Sequence, residues 1–272
     1  MENKTVAFCT LGCKVNQYET NAMTQEFMKE GYTIVEFDEK ADIYIVNTCT
    51  VTNMADRKSR QMLRRVKELN PDSILVAVGC YAQVAKDELK KIPEIDLILG
   101  TNEKKNICAL VNERLKEKQA QYITDKKDSN EKKEVLSKKY GKEVSTNNKN
   151  DTTTNKKIDV NDVLHCEEYV DFGDVTFTEK TRAVIKVQDG CDRFCSYCII
   201  PFARGHIRSR KPENVVSEIT KIAEKGIKEV VITGIHLASY GRDFKDRDFK
   251  LIDLLEKINQ IDGIKRIRLR VT

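Results

Sequence analysis

The sequence predicts an α/β protein: an amino-terminal domain built on a parallel sheet, followed by the first half of a β/α partial barrel. Three observations carry that prediction. Short β-branched runs alternate with amphipathic stretches of helical length over residues 5–115, and again from Thr181 onward. A Lys-, Asn-, Thr- and Asp-rich stretch with no sustained hydrophobic period separates the two regions. Turn residues stand where strand must pass to helix, as at Leu11-Gly12-Cys13 and Gly79-Cys80. Strands that alternate with helices pair in parallel and are covered on both faces.

The elements follow in order. Thr5–Thr10 reads as a strand, and Asn16 to Lys29 as an amphipathic helix stopped by Gly31. Tyr32–Phe37 and Ile43–Asn47 are β-branched strands. Ala55 to Leu69 is a basic helix ending at Asn70-Pro71, because proline cannot continue it. Ser73–Val78 is a strand, about Gln83 to Lys91 a helix, Ile95–Leu99 a strand and roughly Lys105 to Lys118 a helix, which closes a first domain over residues 1–118. Residues 119–163 offer too little apolar area to offset the cost of ordering them and read as a flexible linker or insertion. Their lysines alternate with acids, which favours a solvated segment over an RNA-contacting tail. The second domain, 164–272, contains a strand Thr181–Gln188, a helix Asn214–Lys225, a strand Glu229–Thr233, a helix Leu251–Ile261 and a strand Ile267–Val271. Three such strands are half a barrel, with an inner face and an edge expected to stand uncovered.

Composition narrows the class. Hydrophobic residues at 40% and charged residues at 33% suit a soluble globular protein, and the absence of Trp leaves the cores to Ile, Leu, Val and Phe. A net charge of +5 permits a polyanionic partner without demanding one. No apolar run approaches the ~20 residues of a membrane span, and the amino terminus has no signal-peptide core. The expected location is the cytoplasm, with no membrane partner. In that reducing compartment nine cysteines point to metal or redox chemistry rather than to disulfides.

Two cysteine sets stand out. Cys191, Cys195 and Cys198 lie within eight residues on the loop after a strand. Three thiolates can ligate three irons of a [4Fe–4S] cluster and leave the fourth open to a chelating substrate. A zinc site would need a fourth ligand, and His206 is placed to be one. Cys13, Cys49 and Cys80 each follow a predicted strand. The carboxyl ends of parallel strands share one edge of the sheet, so these three can meet as ligands of a second cluster, or can equally be buried structural cysteines. Cys9 and Cys108 read as core, and Cys166 as a free thiol.

The Cys-x3-Cys-x2-Cys spacing resembles the radical S-adenosylmethionine family. Within it, Thr10-Leu11-Gly12-Cys13-Lys14-Val15-Asn16-Gln17-Tyr18-Glu19-Thr20, Asn47-Thr48-Cys49-Thr50-Val51-Thr52-Asn53 and Gly79-Cys80-Tyr81-Ala82-Gln83 resemble the amino-terminal domain of the methylthiotransferases. Gln188 through Gly205, on to Arg208-Ser209-Arg210, is similar to the same family's catalytic domain. The resemblance implies two [4Fe–4S] clusters, the auxiliary one on Cys13, Cys49 and Cys80 and the S-adenosyl-L-methionine-binding one on Cys191, Cys195 and Cys198. Its wording is most similar to the branch that acts on threonylcarbamoyladenosine at position 37 of ANN-decoding tRNA. The implied reaction inserts a methylthio group at C2 of that base by radical chemistry, with an electron donor such as flavodoxin or ferredoxin. The alternatives are the isopentenyladenosine-tRNA and ribosomal-protein branches, or a non-catalytic iron–sulfur or tRNA-binding remnant. The family continues with a further half-barrel and a TRAM domain, so the sequence is expected to be carboxy-terminally truncated and TRAM absent.

No catalytic side chain is assigned. His236, after the second barrel strand, reads more readily as packing or backbone-bonding than as catalytic. Arg57, Lys58, Arg60, Arg64, Arg65 and Lys67 load one helix with positive charge, suited equally to a solvated face or to RNA phosphates. Arg204, Arg208, Arg210 and Lys211 lie just past the cysteine loop, where RNA or cofactor contact is expected.

Overall fold

The computed structural model describes residues 4–121, 156–177, 181–245 and 248–271. The first domain runs β1 (Thr5–Thr10), α1 (Lys14–Lys29), β2 (Thr33–Val35), β3 (Ile43–Thr48), α2 (Asn53–Leu69), β4 (Ile74–Gly79), α3 (Cys80–Val84), α4 (Lys86–Lys90), β5 (Leu97–Leu99), α5 (107–121) and β6 (Lys157–Asp159). The six strands pair in parallel in the order β2-β1-β3-β4-β5-β6. Central strands β3 and β4 are buried along their whole length. Alternation sends Tyr44, Val46, Leu75 and Ala77 to one face, against Leu63 and Val66 of α2. Ile43, Ile45, Val76 and Val78 go to the other, against Met23 and Phe27 of α1 and Val111 of α5.

Two local expectations change. The helix expected over 83–91 is two short helices, and Cys80 opens the first of them. The carboxyl end of the expected linker is not a linker: Lys157–Asp159 pairs with Leu97–Leu99 as β6, and Val163 is buried. This polar stretch orders because it satisfies the otherwise unpaired edge of β5, and because the Lys156 amine reaches the Lys90 carbonyl oxygen at 2.7 Å. Residues 122–155 of that expected linker lie outside the described residues.

The second domain comprises β7 (Ala183–Asp189), α6 (Ile200–Arg204), β8 (Arg208–Ser209), α7 (Pro212–Glu224), β9 (Glu229–Gly234), α8 (Leu251–Asn259) and β10 (Arg266–Val271). Its sheet order is β10-β9-β7-β8, with β8 antiparallel and the rest parallel. Ile185, Val187 and Ile232 pack on Val215 and Ile219 of α7 and on Leu254 and Ile258 of α8. At the β10 edge Leu269 is 51% exposed, as a half-barrel predicts.

The inner face departs from expectation. Val184, Lys186, Gln188, Val231 and Thr233 are all buried, because α1 of the first domain lies against them. Tyr18 and Ala22 of α1 pack with Val184, Val231 and Val175. Tyr18 also meets Phe172 edge-to-face at 6.3 Å and donates its hydroxyl to Glu218 at 3.1 Å. One helix thus serves two sheets. Replacing Tyr18 with Ala should cost about 3 kcal/mol, the scale of a deleted core aromatic, as a lower denaturant midpoint for the whole chain; an unchanged midpoint would show that the helix does not bind the second sheet.

Candidate cluster sites

Cys13, Cys49 and Cys80 follow β1, β3 and β4, three adjacent strands of one parallel sheet. Cys13 is the cap of α1, Cys49 is buried in the turn before α2, and Cys80 is buried at the first residue of α3. The turns are bound to one another. Asn16 donates its amide to the carbonyl oxygens of Leu11 at 2.8 Å and Thr48 at 3.0 Å, tying the Cys13 turn to the Cys49 strand. The Thr48 hydroxyl donates to Val78 O at 2.7 Å and accepts from Ala82 N at 3.2 Å, tying that strand to the Cys80 helix. Gly12 has a φ of 94°, and a Cβ there would lie 2.5 Å from Cys49 Sγ, so only glycine lets the turn pass over that sulfur.

Among the described residues, no three His, Cys, Asp or Glu side chains close on one point as ligands of a single ion would. A cubane cluster binds each thiolate to a different iron, so its ligands stand further apart. Three thiols on neighbouring strand ends, with glycine in the turn between two of them, fit that demand. Burial pushes the Cys80 thiol up, while the positive charges of Arg204 and Lys104 pull it down.

The second triplet sits on the loop between β7 and α6. Gly190 has a φ of 69° and a Cβ there would fall 1.8 Å from His206 O, so the loop can start only at glycine. Cys191 N donates to Gly205 O at 3.0 Å and Cys198 N to Cys195 O at 2.9 Å. Cys195 is exposed, Cys191 and Cys198 half-buried. His206, the possible zinc ligand, turns its Nδ1 to Asp192 at 2.7 Å. Phe194 and Phe202 meet edge-to-face at 5.8 Å, and with Tyr197, 91% exposed, give the loop an aromatic rim. A polar cavity of about 510 Å³ opens beside it, lined by Asp192, Arg193, Ile207, Ser239, Arg242 and Asp243.

For Arg204, Arg208 and Arg210 the RNA half of the expectation fails. All three are buried, and none is free to meet RNA; of that group only Lys211 is exposed. They are buried because carboxylates and carbonyls from both domains meet them. Arg204 Nη1 donates to Glu19 at 2.7 Å and Asp189 at 3.1 Å, and Nη2 to Asn16 at 2.6 Å. Lys186 bonds Glu19 at 2.7 Å and Asp189 at 2.5 Å, and Lys104 also pairs with Glu19. Arg208 donates to Arg204 O at 2.6 Å. Arg210 holds Glu218 at 2.5 Å and Asp171 at 3.0 Å. Burial opposes the charge on Glu19, but Arg204, Lys104 and Lys186 outweigh it and hold the carboxyl well below its usual range. Asp189 is likewise held down against burial by Lys186 and Arg204.

The remaining candidates divide. Cys9 and Cys108 pack in the cores, and burial pushes both thiols up to about 11. Cys166 is a free thiol that accepts from Asn102 at 2.9 Å. His236 is held at both ends, its backbone N donating to Gln188 at 2.7 Å and its Nδ1 sharing a 2.6 Å bond with Ser239. On α2, Arg60 stacks on Tyr81, Arg65 pairs with Asp38 and Lys67 with Asp96, whereas Arg57, Lys58 and Arg64 are exposed. Sequence reasoning missed Glu19, Asn16 and Asp189; their only signal was a polar residue beside a cysteine turn or at a strand end.

Residues 5–100 match the family described as Uncharacterized protein family UPF0004, and residues 185–272 match the Radical SAM superfamily. The chain carries a UPF0004 domain followed by a radical SAM domain. It is 38% identical, over 97% of its length and 51% of the relative's, to threonylcarbamoyladenosine tRNA methylthiotransferase MtaB of Bacillus subtilis. Identity to the protein of that name in Aquifex aeolicus is 37%, over 97% of this chain and 55% of the relative. To a tRNA-2-methylthio-N(6)-dimethylallyladenosine synthase of Clostridium botulinum it is 32%, over 95% and 50%. The chain therefore spans about half the length of the curated relatives it matches. Among solved structures, the cobalamin-dependent S-adenosylmethionine radical enzyme OxsB aligns at a TM-score of 0.54 and 13% identity, over 97% of this chain and 38% of that one. The radical S-adenosylmethionine methyltransferase TsrM of Kitasatospora setae aligns at 0.50 and 13%, over 94% and 51%. These two likenesses show the fold alone. Among the described residues no helix is long and apolar enough to cross a membrane.

Glu19 is the anion on which three buried cations depend. Glu19→Gln should cost about 3–5 kcal/mol, the penalty for stranding buried charge, read as a lower denaturant midpoint. Because folding depresses the carboxyls of Glu19 and Asp189, their contribution is complete above the ordinary carboxylate range and declines as pH falls below it. Acid should therefore destabilise the parent more steeply than Glu19→Gln; parallel acid curves would remove the charge cluster from the account.

Proposed function

We propose that this protein is a tRNA methylthiotransferase, inserting a methylthio group at C2 of N6-threonylcarbamoyladenosine 37 in tRNAs that read ANN codons. The observation that carries the reading is the pair of cysteine triplets. One ends three adjacent strands of the UPF0004 domain, the other forms the radical SAM loop, and α6, which follows that loop, packs on α3, which begins at Cys80. A C2–H bond is not acidic, so no positioned base can do this chemistry. Clusters with bound S-adenosylmethionine would supply one-electron chemistry and the sulfur to be transferred. Cys191, Cys195 and Cys198 would hold one cluster and leave an iron open for S-adenosylmethionine; Cys13, Cys49 and Cys80 would hold the other.

The chain's own residues prepare the site. Gly12 and Gly190 allow the two turns, Asn16 and Thr48 fix the auxiliary triplet, and the exposed rim of Phe194, Phe202 and Tyr197 offers flat apolar surface on which a base would stack. Exposed Arg57, Lys58 and Arg64 lie on α2, the helix that follows Cys49, and would meet a bound RNA's phosphates. The threonylcarbamoyl substrate is favoured because relatives named for it share 34–38% identity, against 31–32% for those named for the dimethylallyl base. Those lower matches keep the dimethylallyladenosine tRNA as the second reading. A flavodoxin or ferredoxin would deliver electrons in the cytoplasm.

The test uses the polypeptide extended to the length of its relatives, incubated anaerobically with S-adenosylmethionine, reductant and threonylcarbamoyladenosine tRNA. Mass spectrometry of the digested nucleosides should show the 2-methylthio derivative, lost in Cys13→Ala and in Cys191→Ala. Product only on the dimethylallyladenosine tRNA would transfer the substrate assignment to the second reading. Replacing Arg57, Lys58 and Arg64 with Gln should weaken tRNA binding and flatten the slope of log K against log salt by about 2–3; an unchanged slope would return α2 to being a solvated face.

A further inference from the structure

Arg204 differs from the other buried arginines in what it reaches. A guanidinium has five N–H donors and no acceptor, and it stays charged. Four donors are taken up at the Nη atoms, by Glu19 twice, by Asp189 and by Asn16. The fifth, on Nε, points at Cys80 Sγ at 3.3 Å. The side chain is 0% exposed, so no water competes for that bond. Arg204 itself closes α6, the helix that follows the Cys191–Cys198 loop, and Asp189 precedes that loop. A single fork from the radical SAM domain is therefore clamped at four points so that its remaining donor meets a cysteine of the UPF0004 domain.

We infer that Arg204 is a positioning residue for the auxiliary cluster: through its Nε–H bond to Cys80 it orients that ligand and sets the cluster's reduction potential from the neighbouring domain. This rests on Cys13, Cys49 and Cys80 being cluster ligands, as proposed above. Hydrogen bonds to cluster sulfurs and nearby positive charge favour the reduced, more negative state and raise the potential. Lysine at this position keeps the charge but cannot reproduce the planar fork, so the bond to sulfur is lost.

The experiment uses the full chain with Cys191, Cys195 and Cys198 replaced by Ala, reconstituted anaerobically, so that only the auxiliary triplet can bind iron. Adding Arg204→Lys should move the midpoint potential of the cluster, followed by EPR, to a more negative value. Arg210→Lys is the control, since Arg210 is equally buried between the domains but bonds Glu218, Asp171 and Tyr18 rather than a cysteine. It should leave the potential unchanged. An Arg204→Lys protein with the parent potential, or equal shifts in both variants, would overturn the inference while leaving the ligand assignment standing. No iron in the background protein would overturn both. A substitution-free measurement covers the case in which Arg204→Lys does not fold: protein labelled with 15N-guanidino arginine should show 15N hyperfine coupling in the pulsed EPR of the reduced cluster. Absence of that coupling contradicts the bond.

Discussion

Helix α1 lies between two sheets, and the buried pairing of its Glu19 with Lys104, Lys186 and Arg204 holds it there. Apolar contacts through Tyr18 and Ala22 would join the domains without fixing their relative position closely, because hydrophobic burial has no direction. The ion pairs do have direction. Lys186 projects from β7, Arg204 from α6 and Lys104 from the loop before α5, and all three must meet one carboxylate. Burying such charges is costly, and replacing the whole set with well-packed apolar residues can be neutral for stability. What the set supplies is a defined placement of the radical SAM loop against the strand ends of the UPF0004 domain.

That placement gives the parallel sheet its consequence. Parallel order brings the carboxyl ends of β1, β3 and β4 to one edge, which gathers Cys13, Cys49 and Cys80. The same α1 that Cys13 caps then crosses to cover the inner face of the half-barrel. A face that would be empty in an isolated half-barrel is thus filled by the neighbouring domain, and Val184, Lys186 and Val231 are buried rather than exposed.

Much of this was legible in the sequence. Strands β1, β3, β4, β7 and β9 are β-branched runs closed by turn residues, and local pattern suffices for them. The Cys191–Cys198 spacing is a local signal too. The sequence could not show what depends on partners distant along the chain. Lys157–Asp159 has no strand composition and is ordered by the edge of β5. Arg204 and Arg210 read as cations for RNA or a cofactor until Glu19 and Glu218 are brought against them. Asn16 and Thr48 look like ordinary turn neighbours, yet they tie three cysteine turns together.

The central claim is that one folded unit presents two separate thiolate triplets for two clusters. Its most direct test is iron and sulfide analysis, with Mössbauer spectroscopy, of the anaerobically reconstituted chain and of each triple cysteine-to-alanine variant. Two [4Fe–4S] clusters predict about eight irons and eight sulfides per chain, and about four of each when either triplet is removed. About four irons in the parent chain, or a content unchanged by replacing Cys13, Cys49 and Cys80, would contradict it.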